Sequence, residues 1–139
     1  MKKSVFTLAS VIAISSQSFA GNCGFHNLVG EWTRKTELAS TPDPKCGAAV
    51  QSEKTIFTFL SKAGGKVSGS GLRVTAKTFK NSNFCSPKMN TFNYPFVELI
   101  SNGRLSIVSE NGAQAISNCD VSSDRSKLKI SNDVYLRIK

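Results

Sequence analysis

Apolar and polar residues alternate along most of this chain at a period of two. Glu31 to Leu38 sets Trp32, Thr36 and Leu38 on one side and Glu31, Thr33, Lys35 and Glu37 on the other, with Arg34 intruding on the tryptophan side. That pattern predicts a half-buried strand. Lys54 to Leu60 predicts the next strand, with Phe57 and Phe59 on one face and Ile56 and Leu60 on the other. Apolar residues on both faces imply burial of both. Lys66 to Phe79 follows an Ala63-Gly64-Gly65 turn, and its later half sets Leu72, Val74 and Ala76 against Arg73, Thr75 and Lys77. Gly69 and Gly71 inside it imply a bulge or a sharp bend.

Thr91 to Ile100 is an aromatic-rich strand, and Pro95 places it at an edge or a bulge. Asn102-Gly103 and Asn111-Gly112 predict tight turns on either side of a strand over Arg104 to Val108. Ala113 to Val121, Lys127 to Ser131 and Val134 to Ile138 supply the last three strands. Leu105/Ile107, Leu128/Ile130 and Leu136/Ile138 repeat a Leu-x-Ile pattern that reads as inward-facing pairs. Ala39 to Ser52, with Pro42 and Pro44, and Lys80 to Asn90 read as loops. Nothing after residue 20 has helical periodicity. Eight short strands at meander spacing predict an all-β fold, an eight-stranded antiparallel up-and-down barrel.

The first twenty residues stand apart. Met1-Lys2-Lys3 is basic, Val5 to Ile14 is mostly apolar, and Ser18 and Ala20 are small residues three and one positions before a cut. This is the pattern of a secretory signal peptide removed after Ala20, too short to span a bilayer. The expected domain is 21–139, one secreted or periplasmic unit that does not span a membrane. In an oxidising compartment Cys23, Cys46, Cys85 and Cys119 predict two disulfides, with three pairings open. Their wide spacing and the single histidine argue against a metal site. Ala20-Gly21-Asn22 before Cys23 does not fit a lipid-modified cysteine. Without Lys2 and Lys3, sixteen basic residues face nine acidic ones, a net charge of +7 that draws the domain to anionic surfaces.

Gly30-Glu31-Trp32 opens the first strand and Arg137 lies in the last. In this the chain resembles the calycin superfamily, the lipocalin-like barrels. The resemblance implies that Gly30 and Trp32 pack in the closed end of the barrel and that Arg137 covers the tryptophan ring. It spans about Leu28 to Lys139. A Thr-Asp-Tyr signature before the seventh strand is absent, with Asn118-Cys119-Asp120 in its place, and there is no C-terminal helix. Trp32 also stands alone, where avidin-like barrels need several tryptophans. The resemblance therefore carries architecture and not a ligand.

Candidate chemistry is sparse. His26 lies in the N-terminal arm with no characteristic nucleophile motif in the chain. Glu31, Glu98 and Glu110, on different strands, could supply a carboxylate pair but nothing singles them out, and no phosphate-binding glycine loop precedes a helix. Arg73 to Tyr94 interleaves basic and aromatic residues, among them Lys77, Lys80, Lys88, Phe79 and Phe84. Basic charge of this kind gives only non-specific attraction to nucleic acid. The expected role is non-enzymatic and without a cofactor: a monomeric binding protein for a small apolar or amphipathic ligand. Phe57, Phe59, Phe92, Tyr94 and Phe96 are the candidate lining. The alternative is a protein inhibitor or host-interaction module, a rigid barrel whose loops block a secreted hydrolase with the arm Gly21–Asn27 and the loop Ala39–Ser52 as the contact surface.

Overall fold

The computed structural model describes residues 21–38, 40–80, 83 and 85–138. The signal-peptide reading of residues 1–20, and Ala39 and Phe84, lie outside them. Nine strands form one antiparallel sheet: β1 (Gly21–Asn22), β2 (Gly30–Leu38), β3 (Ala49–Lys62), β4 (Lys66–Phe79), β5 (Lys88–Ser101), β6 (Arg104–Val108), β7 (Gln114–Val121), β8 (Lys127–Ile130) and β9 (Asp133–Arg137). From β2 onward each strand pairs with the next, and β9 returns to β2. The eight strands β2–β9 thus close an up-and-down barrel. Two-residue β1 is an addition that sequence patterning does not predict; it pairs with Asp120 and Val121 of β7, beyond the end of β6.

The core gathers at one end. Leu28, Trp32, Phe59, Val67, Val97, Leu105, Val121 and Leu128 are buried there, with Phe57, Ile130 and Tyr135 beside them. Full burial of a large apolar side chain contributes about 1.5–3 kcal/mol. The disulfides join Cys23 to Cys119 and Cys46 to Cys85, which settles the pairing left open by the sequence. The first ties the arm to β7 at the packed end. The second ties the loop after β2 to the segment before β5 at the other end.

Three of the eight strands are much longer than the rest. β3, β4 and β5 have 14 residues each, whereas β6, β8 and β9 have 5, 4 and 5. At 3.3 Å per residue that is about 45 Å against about 15 Å. β9 pairs with β2 only at Trp32 and Thr33, and β6 pairs with β5 only from Phe96 onward. Beyond those points β2–β5 continue as a four-stranded sheet with two free edges. The strand register bends at the entrance to this extension. Between Gly69/Val97 and Gly71/Tyr94 the β5 side carries two residues, Pro95 and Phe96, against Ser70 alone, so the bulge expected from Pro95 and the glycines is present. Any Cβ at Gly69 would lie 1.7 Å from the Thr58 carbonyl oxygen, so only glycine permits this approach of β4 to β3.

Two expectations about facing fail. Leu136 and Ile138 are half exposed on the outer wall, and Tyr135 points inward instead. The pairing of Arg137 with Trp32 sets this phase, because side chains alternate along a strand. Leu60 is also half exposed, so β3 is buried on its Phe57/Phe59 face and not on both.

The ring of Trp32 is wholly buried and its Nε1–H donates to the Leu28 carbonyl oxygen at 2.8 Å. The Arg137 guanidinium lies 4.2 Å from the ring centroid. Its nitrogens donate to the carbonyl oxygens of Asn27, Val29 and Arg125 at 2.7–2.9 Å. Gly30, with φ 140°, makes the turn from arm to strand in a conformation that favours glycine. Arg137→Ala removes the ring cover and all three donors and is expected to cost about 3 kcal/mol. Arg137→Lys keeps the charge but not the planar fork and should recover about half of that. Urea unfolding followed by Trp32 fluorescence measures both.

Candidate functional site

The extension of β2–β5 continues the inner wall of the barrel past its packed core. Its concave face is fixed by the strands' period of two. From the core outward it carries Arg34 and Thr36 on β2, Thr55 and Glu53 on β3, Gly71, Arg73, Thr75 and Lys77 on β4, and Tyr94, Phe92, Asn90 and Lys88 on β5. Of the two alternating sets on β4, the charged one therefore faces inward, and Leu72 is partly exposed outside. The strand's ends carry the signal for this phase. Val67 and Phe79, both buried, share the odd-numbered phase with Arg73.

Four of the five candidate lining residues share this inner face and the fifth does not. Phe57 and Phe59 are buried core residues with ring centroids 6.2 Å apart. They fill the lumen instead of lining an open one. Tyr94 packs on Phe57 at 5.5 Å and Phe92 packs edge-on to Tyr94 at 5.3 Å; both are half buried. Phe96 points outward from the bulge and is 43% exposed, so it leaves the lining. Gly71 makes room for the cluster, since a Cβ there would fall 2.5 Å from the Phe57 ring.

Charge is laid over the two accessible rings. The Arg73 guanidinium sits 4.9 Å from the centroid of Phe92 and 5.9 Å from that of Tyr94, and it faces Glu53 at 3.9 Å. Arg34, which interrupts the alternation of β2, pairs with Asp133 at 3.3 Å across the top of β9. Together Arg73, Phe92 and Tyr94 form a shelf above a closed floor of Phe57 and Tyr135, whose rings are 5.5 Å apart. Sequence alone does not locate this shelf as a whole, because the alternation along β4 assigns Arg73 to the solvent side.

The other candidates lie elsewhere. His26 is exposed on the arm, its ring 5.4 Å from Phe25, at the opposite end of the barrel from the shelf. Glu110 caps the free edge of β5 by accepting from the backbone N–H of Asn93 at 2.9 Å. Glu31 and Glu98 stand on strands β2 and β5, with two strands between them. Among the described residues no three His, Cys, Asp or Glu side chains are placed to hold a metal ion. No helix among them is long and apolar enough to cross a membrane. The arm and the loop after β2 lie at opposite ends of β2. Two surface grooves, of about 380 and 410 Å³, lie outside the lumen, one over Ile56, Leu72 and Pro95 and one between Phe25, Lys66 and Ile100.

Burial pushes the Tyr135 hydroxyl up to about 12, and the Asp133 carboxylate adds to the shift. The unfolded chain ionises this tyrosine near pH 10, so the floor's contribution to stability is complete below pH 10. It is lost as the pH rises towards 12. Tyr135→Phe should remove that part of the alkaline destabilisation, read as a smaller fall in Tm between pH 10 and pH 12.

No family profile, curated protein or solved structure matches the chain.

Proposed function

We propose that this chain is an extracytoplasmic, non-enzymatic binding protein of the calycin type that holds a small amphipathic ligand at the mouth of its barrel. The observation that carries the reading is the shelf. Phe92 and Tyr94 are half-buried aromatic rings on a concave face, with a guanidinium over them and a packed floor beneath. A ligand placed there meets apolar ring edges on one side and charged or hydrogen-bonding groups on the other, the lining typical of small-molecule sites. The filled core argues for binding at the mouth and not in the depth.

The calycin assignment is supported by the Trp32–Arg137 contact, which has the arrangement that the resemblance implies. Placement outside the cytoplasm is supported by two disulfides and by the apolar leader of the sequence.

Removing the two rings gives a direct test. Phe92→Ala with Tyr94→Ala should weaken binding of a single-chain amphiphile such as decyl glucoside about tenfold, since half of each ring's apolar area is at stake. Phe96→Ala on the outer wall should leave it unchanged. Titration calorimetry reads both. Equal effects from the two variants, or none from either, would reject the shelf as the binding site.

A further inference from the structure

The rungs between β4 and β5 change character in order along the concave face. Gly71 stands opposite Tyr94, Arg73 opposite Phe92, Thr75 opposite Asn90 and Lys77 opposite Lys88. The series runs from an aromatic ring, through a cation on a ring and a polar pair, to two cations.

Like charges directly across a sheet destabilise it. The β2–β5 sheet nevertheless has three such lysine pairs: Lys35 with Lys54, Lys62 with Lys66, and Lys77 with Lys88. The first two are exposed at both members. Lys35 is on an edge strand, where lysine blunts unwanted pairing, and Lys62 and Lys66 flank a hairpin turn. The edge explanation extends to exposed Lys88 on the free edge of β5, but not to its partner Lys77. β4 is an interior strand, and Lys77 is half buried, its ammonium 5.5 Å from the centroid of the Phe79 ring.

Arg34 and Arg73 on the same face are ion-paired, but among the described residues Lys77 and Lys88 form no salt bridge. Asp43 on the neighbouring loop feels the charges of both lysines but forms no ion pair with either. Its Oδ1 accepts from the backbone N–H groups of Lys45 and Cys46 at 2.8 and 3.1 Å. Those bonds first, and the charges of Lys77 and Lys88 after them, hold its carboxyl below the usual range. The Cys46–Cys85 disulfide fixes this loop beside the start of β5.

We propose that Lys77 and Lys88 form an anion clamp that takes the phosphate or sulfate group of the ligand whose apolar part lies on the shelf. The second half of that statement rests on the shelf reading; the clamp itself does not. Directly opposed side chains start about 5 Å apart at Cβ, so two flexible ammonium groups reach one tetrahedral oxyanion. Each brings three donors and no fixed plane, which suits phosphate or sulfate. The clamp lies four residues from the Arg73–Phe92 rung, about 13 Å along the strand. One single-chain amphiphile spans both.

The test uses inorganic phosphate, decyl phosphate and decyl glucoside on the wild type and on K77Q/K88Q. Removing a like-charge pair relieves repulsion, so the variant is expected to fold. In the wild type, millimolar phosphate should raise Tm more than chloride at equal ionic strength and shift the amide resonances of Lys77 and Lys88. Decyl phosphate should bind about tenfold more tightly than decyl glucoside at low salt. In K77Q/K88Q the phosphate effects and that preference should vanish while decyl glucoside binding stays. If both amphiphiles bind equally and the variant changes neither, the clamp is wrong and the shelf stands. If inorganic phosphate acts at the two lysines but decyl phosphate binds no better than phosphate, the clamp stands and the shelf reading fails. If nothing binds, both fail.

Discussion

The seam between β2 and β9 is held by only two register pairs, so closure of the barrel depends on what crosses it besides the ladder. Arg137 crosses it. Its guanidinium lies on the buried face of Trp32 and reaches the arm through Asn27 and Val29 and the β7–β8 turn through Arg125. One side chain thus gathers the start of the barrel, its end and the turn beneath. Burial of the Trp32 ring strengthens this contact from one side. The ring covers one face of the cation, and the part-buried carbonyl oxygens of Asn27 and Val29 gain a charged donor, whereas that of Arg125 is exposed. The Cys23–Cys119 bridge reinforces the same end by fixing the arm that supplies two of those carbonyls.

Closing one end in this way leaves the other end free to differ. Phe57, Phe59, Leu105 and Leu128 fill the lumen near Trp32, and the short strands β6, β8 and β9 stop once that core is covered. The long strands do not stop. They carry the inner wall outward past that core, and its residues turn polar and then cationic from Arg73 to Lys77 before buried Phe79 ends β4. A sheet with two free edges invites association, and Lys35, Lys88 and the Glu110 cap on Asn93 oppose it.

Strand order and closure are legible in the sequence because turn chemistry and alternation agree along the chain; together they bound β4 and β6 to the residue. Facing is harder. Apolarity places Leu136 and Ile138 inward, although the calycin resemblance places Arg137 on the buried Trp32. Those two statements conflict, since neighbours on a strand face opposite ways. The contact with Trp32 decides the phase, and the apolar residues go out. The inverted facing of β4 has the same origin. Leu72, Val74 and Ala76 alternate cleanly with charges, but a strand that has left the core no longer reports its inner face by hydrophobicity. Only its ends, Val67 and Phe79, keep that information. The disulfide pairing is not legible at all, because it depends on which loops share an end of the barrel.

On the proposed binding role, the graded inner wall also limits what kind of ligand the fold can serve. An apolar molecule gains little beyond Tyr94, since the floor beneath it is already filled by Phe57 and Tyr135. A small anion meets the lysines but no apolar contact. Only a molecule with both parts, separated along the strand direction, uses the rungs in the order in which they occur. Register fixes that order: because β4 and β5 are antiparallel and bulged at Pro95, shifting either by one residue would turn Arg73 and Phe92 to opposite faces. The bulge at Gly69–Gly71 is therefore the local feature on which the arrangement of the shelf depends, just as Arg137 is for closure.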